Sequence, residues 1–546
     1  MKIPPIDDPS ARGDSRSPAG PVMNPTSAGS ASTATNLPAP TVWWRRPAWQ
    51  VALLAVLLAF GFLGSRPIWD PDEGRYSNVA MMMLDSGDWI DLARHRETGH
   101  WTKPPLTYWL VAASISTFGA NAWAARLPVA LAYLVCVGLA WRGARRLWPA
   151  ADDSGNTADP AAMAALVYAT LLLPLIAAQV LTTDFVLSAL QGLAMVAWIE
   201  ARFGPREKAA GWLLAMWAAF ALAFMAKGPP ALLPLLAVVA LQWLAPMERP
   251  LGFRAWLSGI AVFFALALPW YLAVVLRHDG LLAYFLGTEV YKRIAGDMGR
   301  NGDWYGWLQV YGPTLLVGTL PWTWPLLRGV HAWRSHLPRW RTRAARQADA
   351  RHLQLALWLG LPLLVFCVSR SRLPFYLLPL FLPLALLIAG HWRSESRPWP
   401  RLRWIAAWAV LILAGRLFVA QWPTGNDASA WAQTLRERAP APITEVVFVE
   451  DFARYGIHLY LGAEVEKLSL ESNERTGFTS EYDESVASEL SANEVGAVWI
   501  THMNKWPRVR EELVRSGFEV QVLGEPYRDR MIFRVRGPAS SQPPSP

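Results

Sequence analysis

The sequence predicts an all-α polytopic membrane protein of about eleven transmembrane helices that ends in a small α/β domain. Three observations predict it. Of the 546 residues, 53% are hydrophobic and only 17% are charged, whereas an ordinary soluble chain carries about 25% charge. Mainly apolar runs of roughly 17 to 25 residues recur along most of the length, and they do not alternate in polarity. In hydrocarbon such runs satisfy their own backbone as helices. Beyond Gln421 the runs stop and short strand-like segments begin.

Residues 1–42 are rich in Pro, Ser, Ala, Thr and Gly and too poor in apolar side chains to fold alone, so a disordered cytoplasmic tail is expected. Arg45 and Arg46 precede an apolar stretch too long for the core of a signal peptide, which makes it an uncleaved first span. Within a membrane domain of residues 43–421, spans are expected near 48–65, 122–141, 160–178, 182–200, 210–225, 229–246, 256–276, 306–327, 353–369, 374–391 and 404–421. The 31 Trp fit this picture, because indole is favoured at the headgroup boundary. Trp43, Trp44, Trp243, Trp270 and Trp322 all sit at run ends.

The net charge of +9 raises nucleic acid as a partner, and the placement of the charge excludes it. Basic residues fill every second loop: Arg142, Arg145 and Arg146, then Arg202, Arg206 and Lys208, then Arg249 and Arg254. The series continues with Arg328 to Arg351 and with Arg393 to Arg403. Such loops face the cytoplasm, and no nucleic-acid-binding signature accompanies them. The N-terminus is then cytoplasmic, the C-terminal domain is periplasmic, and the protein is a multi-pass component of the cell inner membrane. The two cysteines, Cys136 and Cys367, lie inside apolar runs and imply neither a disulfide framework nor a metal cluster.

Residues 422–536 carry the runs EVVFVE, EVEKLSL, GAVWIT, FEVQVL and MIFRVR, with a helical pattern from Lys505 to Ser516. Alternating strands and helices predict the α/β layer domain. Residues 537–546 read as a frayed tail.

On this topology the loop from Arg66 to Thr107 lies outside. It holds Asp70, Asp72, Glu73 and Arg75 directly after the first span. Asp70-Pro71-Asp72 can also simply start a helix with Glu73 in its first turn, and spacing alone weighs that reading equally with a site. Later in the loop Lys103 precedes Pro104 and Pro105, which restrict the backbone and so fix where the ammonium points. A lysine at this boundary can hold a lipid phosphate as a point charge, or it can merely snorkel. Leu106 to Phe118 is apolar but short, as an interfacial or re-entrant helix would be. Other outer turns bring Asp184 at the membrane boundary, where an ionisable group is a functional candidate, and Lys227. They also bring Glu289, Arg293, Arg300, Asn301, Arg370, Arg372 and Tyr376.

The segments WDPDEGRYSNVAMMMLDSGDW, TKPPLTYWL, FGANAWAARLP, MAKGPPALLP, EVYKRI, LPWTWPLL and SRLPFYLLPLFLPLALL follow in unbroken order from Trp69 to Gly390. Together they resemble the bacterial aminoarabinose transferase and protein O-mannosyltransferase superfamily. These are GT-C fold enzymes that use polyprenyl-phosphate sugars. The resemblance implies that Asp72 is the catalytic carboxylate, with Glu73 and Asp184 as further catalytic acids. It implies that Arg75, Tyr76, Lys103, Glu289, Arg293, Arg300, Arg372 and Tyr376 bind substrate, with Lys103 and Arg293 on the departing phosphate. A carboxylate can deprotonate or orient an acceptor, and cations stabilise charge developing on a leaving group. The aminoarabinose branch reads Glu-Lys-Pro where this chain has Thr102-Lys103-Pro104, and Glu-His where it has Glu289-Val290. The implied donor is therefore a lipid-linked sugar whose identity stays open.

The expected function is inverting transfer of a single sugar from a polyprenyl phosphate to lipid A, another envelope glycan or a protein, at the periplasmic face. No cofactor or metal is required, although Asp70-Pro71-Asp72 has the spacing of a weak divalent-cation element. A flippase for polyprenyl-linked sugars is the rival of another class. It would show interrupted helices repeated in two halves, and the charges here cluster on one face instead.

Overall fold

The computed structural model describes residues 47–149, 158–292, 303–471, 478, 481–492 and 496–537. Helix α1 (Pro47–Phe60) leads into the loop of residues 66–107. There α2 (Asp72–Ser86) starts with both acids in its first turn, where they face the positive end of the helix dipole, and stops at Gly87, whose φ of 70° suits a residue without Cβ. A small hairpin of β1 (Ala93–His95) and β2 (Thr98–Gly99) leads into α3 (Leu106–Phe118), which matches the short apolar helix expected there. The long α4 (Ala122–Leu147) is capped by Asn121, whose side chain accepts from Ala124 N at 2.9 Å.

The expected span at 160–178 is not one helix. It divides into α5 (Pro160–Thr170) and α6 (Leu172–Ala177), with Leu171 extended between them. A broken helix at membrane depth is tolerated where other groups take up the freed carbonyls. Tyr133 donates to Ala169 O at 2.7 Å and Trp408 donates to Thr170 O at 2.9 Å. Helices α7 (Thr183–Phe203), α8 (Ala209–Lys227), α9 (Leu235–Leu244) and α10 (Phe253–Arg277) follow. The expected span at 306–327 is likewise split, into α11 (Gly306–Gly318) and α12 (Thr323–Ala332), because Pro321 cannot donate to a continuous ladder. Helices α13 (Ala350–Val368), α14 (Phe381–Ser394) and α15 (Leu402–Gln421) complete the bundle.

Among the described residues, seven helices are long and apolar enough to cross a membrane, and four shorter apolar helices accompany them. The chain is a multi-pass membrane protein. Helix α7 is buried on nearly every side, whereas α15 buries only Ala409, so the bundle has a packed centre and an apolar rim suited to lipid. At 21 residues, α7 is about 31 Å long, close to the hydrocarbon thickness. Its far end holds Glu200, clamped by Arg142 at 3.1 Å and Arg146 at 2.8 Å. Its near end holds Asp184.

The C-terminal part begins with α16 (Ala428–Arg438) and continues through β3 (Glu445–Val449), α17 (Ile457–Leu461), β4 (Glu464–Ser469), β5 (Glu484–Ser485) and α18 (Val486–Ala492). It ends with β6 (Ala497–His502), α19 (Trp506–Arg515), β7 (Glu519–Val522) and β8 (Arg530–Arg536). All five strand-like runs of the sequence form strands. The sheet order is β5-β4-β3-β6-β8-β7, with β5, β4, β3 and β6 parallel and β8 antiparallel to both neighbours. Trp431, Val446, Phe448 and Ile500 fill one face, and Val447, Trp499, Val509 and Phe533 fill the other.

This sheet is tied to the loop of residues 66–107 by backbone. Asp70 N donates to Asn426 O at 2.9 Å and Ala428 N donates to Ile68 O at 3.1 Å, forming a short antiparallel bridge. On α17, His458 lies between Asn78 Oδ1 at 2.8 Å and Asp85 Oδ2 at 2.9 Å, both on α2.

Candidate active site

The first turn of α2 separates its three acids by environment. Asp72 is exposed, and among the described residues its carboxylate makes no hydrogen bond or ion pair. Glu73 is 2% exposed and fully engaged. Arg126 of α4 donates from Nε to one oxygen and from Nη2 to the other, both at 2.8 Å, and Arg66 lies 2.7 Å away. The main-chain N–H groups of Trp69 and Leu181 add bonds of 3.1 and 2.9 Å. Burial alone would raise the Glu73 pKa, but the charges and hydrogen bonds of Arg126 and Arg66 outweigh it and hold the carboxyl at about 2. The sequence expectation of a catalytic Glu73 therefore meets a carboxylate with no face left for substrate. Its geometry is that of a clamp between α1, α2, α4 and the turn before α7.

Asp70 is buried against the C-terminal part. Its Oδ1 accepts from Gly456 N at 3.0 Å, while Oδ2 has no hydrogen-bond partner. Two glycines permit this approach. A Cβ on Gly74 would overlap Asp70 Oδ1 and lie 2.6 Å from Gly456 N, and a Cβ on Gly456 would lie 3.1 Å from Asp70 Oδ2. Burial is the main reason the Asp70 carboxyl is pushed up to about 7, and the Gly456 hydrogen bond and the Arg454 charge only partly oppose it.

Around the exposed Asp72 the structure gathers several of the expected residues. Tyr76, one turn along α2, stacks on Tyr108 of α3 with ring centres 5.6 Å apart. Burial first, and then the Asp184 charge, raise the Tyr76 pKa, with Asp72 contributing. Asp72 and Asp184 thus bear on one phenol from two elements. Asp184 sits in the first turn of α7 behind its cap Thr182 and is ion-paired to Lys227 at the end of α8. The Lys227 ammonium also lies 4.5 Å from the ring centre of Tyr376.

A cationic wall stands beside this group. His100 accepts or donates at 2.9 Å to Tyr108 Oη and at 3.1 Å to Thr102 Oγ1. Its pKa is driven well down by burial and then by the charges of Arg75, Arg94 and Lys103, so these cations converge on it. The Lys103 ammonium donates to Thr102 O at 2.8 Å. Among the described residues the Arg75 guanidinium forms no hydrogen bond or ion pair.

Arg372 is placed differently from its expected substrate role. It is 3% exposed and donates to the main-chain carbonyls of Asp303 at 2.6 Å and Cys367 at 3.0 Å, tying the turn after α13 to the start of α11. Arg293 and Arg300 lie outside the described residues, as does the Glu289 side chain, whose backbone falls in a π-helical stretch at Phe285–Lys292. The expected tail of residues 1–42 and residues 538–546 of the other tail also lie outside them.

Sequence reasoning missed Arg126, Tyr108 and His100. Arg126 carried a usable signal, since a lone guanidinium inside an apolar run requires an acidic partner. Tyr108 and His100 flank the Lys-Pro-Pro motif and carried none that separates them from other loop residues.

The sequence model of the family described as dolichyl-phosphate-mannose-protein mannosyltransferase matches residues 102–272. An undecaprenyl phosphate-alpha-4-amino-4-deoxy-L-arabinose arabinosyl transferase of Pseudomonas aeruginosa (strain UCBPP-PA14) is 35% identical over 358 residues, covering 64% of this chain and 60% of the relative. A protein of the same description from Edwardsiella ictaluri is 34% identical over 62% of this chain and 58% of its own length. The chain is thus similar to these transferases over part of its length. In fold, it is similar to ArnT from Cupriavidus metallidurans bound to undecaprenyl phosphate. That match has a TM-score of 0.68 at 20% identity and covers 90% of this chain and 98% of the other. An Archaeoglobus fulgidus oligosaccharyltransferase tethered with an acceptor peptide is a more distant likeness in fold. It has a TM-score of 0.51 at 11% identity, over 88% of this chain and 73% of that one. The matched region spans about 60% of the length of the curated relatives.

Proposed function

We propose that this chain is an inverting glycosyltransferase that moves one sugar from a polyprenyl monophosphate to an acceptor at the periplasmic face of the inner membrane. The observation that carries the proposal is the open carboxylate of Asp72 beside the cations Arg75 and Lys103 and the Asp184–Lys227 pair. The acceptor oxygen attacks the anomeric carbon as the bond from that carbon to the phosphate oxygen breaks, and the bonding pair leaves on the lipid phosphate. Asp72 orients the acceptor, or takes its proton when it is a hydroxyl. Lys103 and Arg75 neutralise the phosphate as it departs, which is where electrostatic catalysis is largest. One displacement inverts the sugar and needs no covalent intermediate or cofactor.

The names of the relatives favour undecaprenyl phosphate as the lipid and 4-amino-4-deoxy-L-arabinose as the first sugar to test. Both relatives reported above are transferases, which favours transfer over the flippase alternative. The proposed orientation keeps the N-terminus in the cytoplasm and residues 422–536 in the periplasm. This puts the Asp184 end of α7 outside and the arginine-clamped Glu200 end inside.

The test is transfer in proteoliposomes from labelled undecaprenyl-phosphate sugar, with release of the free lipid phosphate followed in parallel. Transfer by the wild type that Asp72→Asn abolishes is expected, and undiminished transfer by that variant sinks the assignment. Mass spectrometry of lipid A and envelope glycans from a deletion strain names the acceptor.

A further inference from the structure

The C-terminal sheet carries a group of acids that the transfer chemistry does not use. Glu445 opens β3, and Glu464 and Glu466 lie on the adjoining β4. In the parallel register Glu445 pairs with Glu464, and Val447 pairs with Glu466, so the three glutamates share one face of the sheet. Glu489 of α18 comes down on that face. Glu445, Glu466 and Glu489 are all buried, at 1, 0 and 7% exposure.

Glu466 is the decisive residue. Neither of its oxygens has a hydrogen-bond partner, although a buried carboxylate is ordinarily paired or hydrogen-bonded. One oxygen from each of Glu445, Glu466 and Glu489 lies within 4.8 Å of the others. Two oxygens across an ion bound at about 2.4 Å stand up to that far apart, and that ligand distance suits Ca2+. Among the described residues, Arg94 pairs with Asp483 at 2.6 Å, Arg96 with Glu464 at 3.1 Å and Lys467 with Glu481 at 3.0 Å.

We propose that Glu445, Glu466 and Glu489 bind a hard divalent cation of the Ca2+ class, at the seam between the C-terminal sheet and the outer loop. His95 of β1 holds the Glu445 carboxylate from the loop side, with Nε2 3.0 Å from Oε1, the kind of outer contact that orients a ligand. The ion therefore fastens the domain to the loop that carries Asp72. A cation relieves the mutual repulsion of the three carboxylates directly. The site is separate from the transferase residues and does not depend on their assignment.

The test uses the full-length protein in detergent, stripped with EDTA and then dialysed against Ca2+. Metal content is read by mass spectrometry, and unfolding by intrinsic tryptophan fluorescence. The wild type is expected to retain about one equivalent of Ca2+ and to melt at a higher temperature with it, as a ligand bound only by the folded state requires. Glu466→Gln is expected to weaken Ca2+ binding by about 100-fold and to abolish the thermal response. Glu489→Gln provides the same reading should Glu466→Gln misfold. Asp72→Asn is expected to keep the ion. A wild type that binds no Ca2+ and melts identically with and without EDTA overturns the proposal. So does loss of the ion in Asp72→Asn with retention in Glu466→Gln, which would assign the metal to the outer catalytic loop.

Discussion

Lys227, the last residue of α8, is ion-paired to Asp184 in the first turn of α7 and also lies over the ring of Tyr376, 4.5 Å from its centre. Three segments far apart in sequence therefore meet on one ammonium. The side chains of Lys227 and Asp184 are only 10 and 12% exposed, so removing one partner strands the other charge. Lys227→Met is expected to cost about 3–5 kcal/mol of stability. Adding Asp184→Asn should restore part of it, because the stranded carboxylate goes too. Thermal unfolding of the two single variants and the double variant measures the coupling, and strictly additive losses would refute a direct pair.

Asp72 is the opposite case. Its exposure and lack of partners predict that Asp72→Asn changes stability by no more than about 0.5 kcal/mol. The same change is expected to lower transfer by at least ~100-fold if the carboxylate serves as general base. Unfolding and donor turnover measured on one preparation separate the two effects. A loss of fold in step with the loss of transfer would argue against a chemical role.

Much of this was legible in the sequence, and the rest fails for identifiable reasons. Element type followed from apolar period and length, so the strand runs of the C-terminal sheet and the helix at Leu106–Phe118 appear where the pattern puts them. The breaks at Leu171 and near Pro321 were not legible. They depend on partners such as Trp408, whose indole reaches Thr170 O across 238 residues. Within Asp70, Asp72 and Glu73 the residue types identify a site but do not divide the roles. That division depends on Arg126 and Gly456, which reach the loop from distant segments. The pairing of His95 with Glu445 is invisible for the same reason.

Glu73 and Arg126 form the buried clamp of the loop between α1 and α3. Arg126→Met leaves Glu73 buried with only Arg66 in ion-pair contact and is expected to destabilise by about 3 kcal/mol or more. Because the folded carboxyl is held at about 2, below its ordinary 4.5, the clamp contributes fully above pH 4.5 and loses its contribution as pH falls through about 2. Wild type and Arg126→Met should therefore differ in melting temperature by a constant amount from pH 5 to 8. A difference that vanishes within that range would contradict the clamp.

Asp70 has the reverse sign. Its carboxyl, raised from 3.8 to about 7 chiefly by burial, holds its proton in the folded chain while the unfolded chain releases it. The groups that act on it from the packed elements are Arg454, Glu73 and Arg75. Below about pH 4 both states are protonated and the residue costs nothing. Between about pH 4 and 7 the folded state binds the extra proton, so stability falls as pH rises, and above about 7 the loss is complete. The full gap corresponds to a loss on the order of 4 kcal/mol. Asp70→Asn keeps an oxygen for the Gly456 N–H and cannot ionise. Its melting temperature should match wild type near pH 4, exceed it progressively up to about pH 7 and hold that gap to pH 8, and parallel curves for the two proteins from pH 4 to 7 would refute the buried, proton-holding carboxyl.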